Sequence, residues 1–210
     1  MMKDNFDHIV YSKNVIEFVT IANEFCLLLE TSAKVSKIEF IETVQKLLPL
    51  LYLKACLLPK NESELEEEIE KFVSEADWEF IHTSVQTKMG GHDQFLEVFE
   101  EDMEYSETPV IASVSESFAD MYQDLKDFLT SYRIGTLDVM NEALWDLTNS
   151  FYQHWGQNLV NSLRAIHSLV AKNENLDEEI EDSEGSRLED IDLSDSIFSQ
   201  RKKEWGENDQ

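Results

Sequence analysis

Apolar residues along the chain recur at helical spacing in several long runs. Val15, Val19, Ala22, Cys26 and Leu29 fall three or four positions apart, and Phe18 and Phe25 widen the stripe. Ser12, just ahead, is a natural N-cap, because its hydroxyl can accept from a free backbone N–H. A second run starts near Ser36, with Ile38, Ile41, Val44, Leu48, Leu51 and Ala55 as its stripe. Pro49 lies inside it and lacks an amide donor, so a kink or break is expected near Leu48. The part after Pro49 is apolar almost all round and is expected to sit centrally in the bundle.

The stretch 59–62 reads as a turn into a third helix. Its Glu-rich start (Glu64 to Glu70) would suit a helix N-terminus, where the macrodipole favours acid. Phe72, Val73, Ala76, Phe80, Ile81 and Val85 continue the run, with Ser74 a second possible cap and Gly90-Gly91 a stop. Residues His92 to Met103 are expected to form a short amphipathic helix with Phe95, Leu96 and Phe99 inward. Thr108-Pro109 has the form of a helix start. Ile111, Val114, Phe118, Met121, Leu125, Phe128 and Leu129 then describe a fourth long helix ending at Gly135. Thr136 caps the last long segment, with Met140, Leu144, Leu147, Phe151, Trp155, Leu159, Ser162, Ile166 and Leu169 as its stripe. A bend is expected at Gly156, where a close approach by a neighbouring helix would repay the helical cost of glycine, about 1 kcal/mol.

These runs predict an all-α bundle of five to six helices, mostly antiparallel, over residues 1–172. Residues 173–210 differ, with fourteen acidic side chains against four basic ones and few apolar residues. They read as an acidic C-terminal tail. The tail ends in a basic-aromatic patch, Phe198, Arg201, Lys202, Lys203 and Trp205, the most distinctive feature of the chain. Such a patch has the composition of a docking peptide, since Trp and Arg dominate interface energies. The alternative is that it folds back on its own acidic body.

Charge narrows the partners. The formal net charge of -27 repels nucleic acid and anionic membranes, both of which need cationic contacts. Basic proteins remain open as partners. The longest apolar run, Leu47 to Leu58, is shorter than the roughly 20 residues a bilayer span needs. With no signal-peptide pattern at the N-terminus, a cytoplasmic location is expected. The two cysteines, Cys26 and Cys56, lie in apolar stretches and are expected as buried small hydrophobes.

Three segments carry a family resemblance: Asn14 to Phe25 (Asn-Val-Ile-Glu-Phe-Val-Thr-Ile-Ala-Asn-Glu-Phe), Glu101 to Pro109 (Glu-Asp-Met-Glu-Tyr-Ser-Glu-Thr-Pro) and Tyr152 to Gln157 (Tyr-Gln-His-Trp-Gly-Gln). Together with Asp120 to Phe128 they resemble a bacterial family of acidic helical proteins, domain of unknown function 5063. The resemblance implies no activity, ligand or catalytic residue.

Candidate chemistry is sparse. Glu79 and His82 have the Glu-x-x-His spacing of helical di-iron sites, which puts both ligands on one helix face, but a full site needs a second such motif and two more Glu residues. No other histidine has a Glu three positions before it, so a chance match in an acid-rich chain is the ordinary reading. His154 sits beside Trp155 and is either a half-buried polar contact or a site residue. Asp120, Asp124 and Asp127 line one face of the fourth helix, where paired carboxylates can do acid–base work or bind a cation. A solvated face, with Lys126 and Arg133 nearby, is the bland alternative. Arg133 and Arg164 are the only arginines before residue 173. No Walker loop, dinucleotide fingerprint or CxxC pair is present. No catalytic, cofactor or metal residue is therefore assigned. The expected function is a non-enzymatic protein-interaction role through an acidic surface or the tail end. The alternatives are a small helical metal-binding protein or enzyme centred on Glu79/His82 or His154, and an acidic nucleic-acid mimic that binds a basic protein.

Overall fold

The computed structural model describes residues 8–65, 69–97 and 110–172. The tail, including Phe198, Arg201, Lys202, Lys203 and Trp205, lies outside the described residues, as do Phe99, Thr108 and Pro109. Among the described residues there are six α-helices: α1 (Lys13–Glu30), α2 (Lys37–Cys56), α3 (Glu75–Met89), α4 (Val114–Ile134), α5 (Leu137–Ser150) and α6 (Gly156–Ala171). A short antiparallel ribbon, β1 (Gln94–Leu96) with β2 (Ile111–Ser113), pairs Phe95 with Ala112. The all-α helical bundle is the architecture the apolar spacing predicts.

Helix starts follow local chemistry. Ser36 accepts from the Glu39 N–H at 3.2 Å. Ser74 and Asp77 form a reciprocal capping box at the start of α3. Gly90 ends α3 with φ of +56°, a left-handed conformation that glycine adopts without penalty. Ser12 precedes α1 as expected, but its hydroxyl makes no cap bond.

The core is an aromatic stack across helices. Phe18 of α1 packs edge-on against Phe128 of α4 and lies 6.4 Å from Trp155, centroid to centroid. Phe25 meets Phe118 in the same T-shaped way at 5.5 Å. All five rings are buried, and at roughly 25 cal/mol per Å² of apolar surface each contributes more than any aliphatic neighbour.

Five expectations need correction. First, α2 runs unbroken through Pro49, which is exposed. The segment after Pro49 is not central either, since Leu50, Leu53 and Leu57 are exposed. Second, residues 59–65 and 69–74 form no helix. They are a strap, because side chains of α4 and α5 capture their backbone donors, as described below. Third, residues 94–96 are a strand and not a helix, and Leu96 is exposed. Buried Asp93 takes both the N–H and the hydroxyl of Ser115, at 2.8 and 2.6 Å, and so draws this segment to the start of α4. Fourth, α4 begins at Val114 with Ser113 as its cap, and Ile111 lies in β2. Fifth, Cys26 is buried but Cys56 is exposed, at the end of α2.

Helices α5 and α6 are one rod interrupted by a π-helical turn, Phe151–Trp155. What lies at the position where a bend is expected is a widened turn that ends just before Gly156. A Cβ on Gly156 would meet the Phe151 carbonyl oxygen at 2.4 Å and its ring at 2.9 Å. The close approach comes from the widened turn itself and not from a neighbouring helix.

Candidate functional site

A cavity of about 210 Å³ lies between the strap, α4, α5 and the π turn. Its polar lining includes Lys71 from the strap, Asp124 and Asp127 from α4, Asp146, Asn149 and Ser150 from α5, and Gln153 and His154 from the turn. Phe128, Ala143 and Leu147 supply apolar lining. Asp124 and Asp127 share a face because they are three residues apart on a helix. Ser150 and His154 are four apart across the junction where α5 widens.

The carboxylates and Lys71 have defined partners. Asp127 accepts from the backbone N–H groups of Phe72 and Val73 at 2.7 and 2.9 Å, which fixes one end of the strap. The Ser150 hydroxyl donates to Asp124 at 2.6 Å. Lys71 donates to Asp146 at 2.6 Å, a pair open to solvent on one side. Burial raises the carboxyl pKa of Asp124 above the ordinary aspartate value, and the Ser150 bond and Lys71 offset only part of that. Burial does the same to Asp127, against the two backbone bonds. For Lys71, burial favours the neutral amine, yet the bond to Asp146 prevails and its pKa ends raised.

The other end of the strap is tied to the start of α5. Asn61 donates to the Asn141 carbonyl at 2.7 Å, and Asn141 returns a bond to the Glu62 carbonyl at 3.0 Å. Buried Glu142 accepts from the Ser63 hydroxyl and from the N–H groups of Glu64 and Leu65. Carboxylates thus take donors that a helix over this stretch would have used.

The structure brings together Asp124, Asp127 and His154, which the sequence offers only as separate candidates. Asp120, one turn earlier on α4, is engaged elsewhere and accepts from the Trp78 indole at 2.9 Å. Glu79 and His82 do not line the cavity. Glu79 is exposed, and His82 stacks on Trp78 at 5.0 Å with the rings nearly parallel. Among the described residues, no three His, Cys, Asp or Glu side chains converge to hold a metal ion. Ser150, four residues before His154, donates to Asp124 and not to His154. His154 is exposed at the cavity lip. Arg133 lines a separate surface hollow beside Tyr11 and Met140. Arg164 donates to the Leu96 carbonyl at 2.6 Å. Sequence reading misses Lys71, Asp146 and Ser150. The first lies in a segment expected to be helical, and the other two are ordinary polar positions on α5 that meet Lys71 and Asp124 only through tertiary packing.

Away from the cavity, Lys126 points to the opposite side of α4. There it pairs with Glu30 of α1, and the Tyr122 hydroxyl donates to the same Glu30 oxygen at 3.0 Å. Both partners of the ion pair are almost fully buried. No helix of the described residues is long and apolar enough to cross a membrane.

A family model described as domain of unknown function (DUF5063) matches residues 9–172. The fold is similar to the crystal structure of protein BF1032 from Bacteroides fragilis, a structural-genomics target, with 37% identity and a TM-score of 0.69. That alignment covers 77% of this chain and 95% of the other. No curated protein matches the chain.

Proposed function

The chain belongs to the DUF5063 family, whose description carries no activity, and we propose from its geometry that it is a non-enzymatic interaction protein whose acidic cavity receives a basic side chain. The observation that carries this reading is the imbalance of the cavity wall: Asp124, Asp127 and Asp146 face one ammonium, that of Lys71. Two of these carboxylates have their pKa raised by burial, so an arriving cation would relieve a desolvation cost already present in the free protein. The overall charge of -27 would speed the approach of a basic partner and repel nucleic acid. A flexible lysine or arginine of another protein fits this chemistry, and so do Arg201, Lys202 and Lys203 of the chain's own tail.

The test is a titration of the isotope-labelled full chain with a peptide reproducing residues 201–205, followed by amide NMR. The expected result is a set of shifts at Asp127, Ser150 and Gln153 that weakens with added salt and disappears in Asp124→Asn/Asp146→Asn. Shifts confined to other surfaces, or binding indifferent to salt, would reject the reading. A pull-down from the native host with the same double variant, and with residues 197–210 deleted, separates an external partner from the tail. A partner lost only with the double variant is held by the cavity.

A further inference from the structure

A second surface has the opposite character. A shallow groove of about 770 Å³ runs between α2 and α6, lined by Lys46, Pro49, Val160, Leu163, Arg164 and His167. Its floor is apolar and its rim is basic, on a chain whose total charge is -27. Arg164 is steadied by its bond to the Leu96 carbonyl. Lys46 has one acidic neighbour, Glu42, at 3.8 Å, and both side chains are largely exposed. An exposed pair of that kind contributes little and leaves Lys46 free to change partner. The exposed Val160 continues the apolar floor outward.

We propose that this groove is the docking site of the chain's own segment 174–184. That segment holds seven acidic residues among eleven and no basic one, and its two large apolar residues, Leu176 and Ile180, are four positions apart. Its composition complements the groove in both respects, with apolar residues for the floor and carboxylates for Lys46, Arg164 and His167. Reach favours it as well. His167 lies five residues before Lys172, about 7.5 Å of helix rise. The four residues from Lys172 to Leu176 span up to about 14 Å when extended. A ligand tethered that closely is present at an effective concentration on the order of millimolar, so modest contacts hold it. The family match ends at residue 172, so this occupant is a property of this chain's extension and not of the matched region.

The experiment is paramagnetic relaxation enhancement on the full chain. A nitroxide is attached at Ser183→Cys in a Cys56→Ser background, where buried Cys26 is shielded from the label. Docking predicts loss of most of the amide signal at Lys46, Val160 and His167, and recovery of that signal at high salt or in Lys46→Glu/His167→Glu. An unchanged spectrum elsewhere shows that the double variant folds. Signal loss absent from the groove, or unaffected by reversing its charge, would overturn the proposal. So would loss that appears when labelled, isotope-free chains are mixed with unlabelled, isotope-enriched ones, because the occupant would then be a second copy.

Discussion

Replacing Lys126 with Met should be among the most destabilising single changes in the protein. The ion pair with Glu30 joins α4 to α1 beneath the aromatic stack, with side-chain exposures of only 6% and 8%. Met matches the length of the lysine stem, so little packing is lost. What remains is a buried Glu30 carboxylate that keeps the Tyr122 hydroxyl as a donor. Breaking a buried pair from one side costs about 3–5 kcal/mol, because the surviving charge keeps its desolvation penalty and loses its compensation. At roughly 2–4 °C per kcal/mol for a domain of 150–250 residues, the thermal midpoint should fall on the order of 10 °C. The surrounding chemistry agrees. Burial, then the Glu30 charge, push the Tyr122 phenol far above its ordinary pKa, as expected where water does not reach.

The decisive comparison is a cycle and not a single variant. Denaturant unfolding is measured for Lys126→Met, Glu30→Met and the double variant, each with its m-value. The double variant carries no buried charge and should recover most of the loss, leaving the unpaired Tyr122 hydroxyl at about 1–3 kcal/mol. Adding Tyr122→Phe should remove that remainder. A single-variant loss below about 1 kcal/mol would refute the reasoning, because it would mean that water solvates Glu30 as it does an exposed pair. Additive single losses would refute it equally, since residues in contact must couple.

Gly156→Ala should destabilise by about 1–3 kcal/mol in thermal melts, because the clash at 2.4 Å is with a backbone oxygen that cannot swing away. Glu142→Ala removes the acceptor of two strap amides and one hydroxyl. It should speed hydrogen exchange at Glu64 and Leu65 while the amides of α3 keep their protection. The raised pKa values of Asp124 and Asp127 fix the sign of a pH effect. An aspartate whose folded value lies above its unfolded one stabilises the fold when protonated. That contribution is full below the ordinary aspartate range and is lost as pH rises through the raised value. Asp124→Asn should therefore be more stable than the natural chain at neutral pH and flatten this part of the pH–stability curve, measured by urea unfolding across the acidic range.

The parts of the fold legible from sequence are those in which one local signal decides the outcome. Of the first stripe, Val15, Phe18, Ala22, Phe25, Cys26 and Leu29 are buried and Val19 is half-buried, because a 3.6-residue period leaves only one face for them. Ser36, Ser74 and Gly90 delimit helices by chemistry confined to a single turn. The strap was illegible for the opposite reason. Glu64 and its acidic neighbours have good helix propensity, but Glu142 and Asp127, more than fifty residues away, bind their backbone donors, and propensity yields to tertiary hydrogen bonding. The ribbon follows the same logic, since Asp93 is committed to Ser115 across a long stretch of chain. The exposed Leu50, Leu53 and Leu57 mark the limit of periodicity from the other side: an apolar run does not report whether a neighbour exists to cover it. The cavity combines both difficulties. Asp124 and Asp127 are visible as one helix face, but Ser150 meets them only through the packing of α5 on α4, His154 comes from a π turn, and Lys71 from a strap that is not a helix. A candidate site that draws on two departures from helical regularity is invisible to any reading that assumes that regularity. Within the π turn itself Phe151 and Trp155 still face the packed core, while Gln153 and His154 line the cavity.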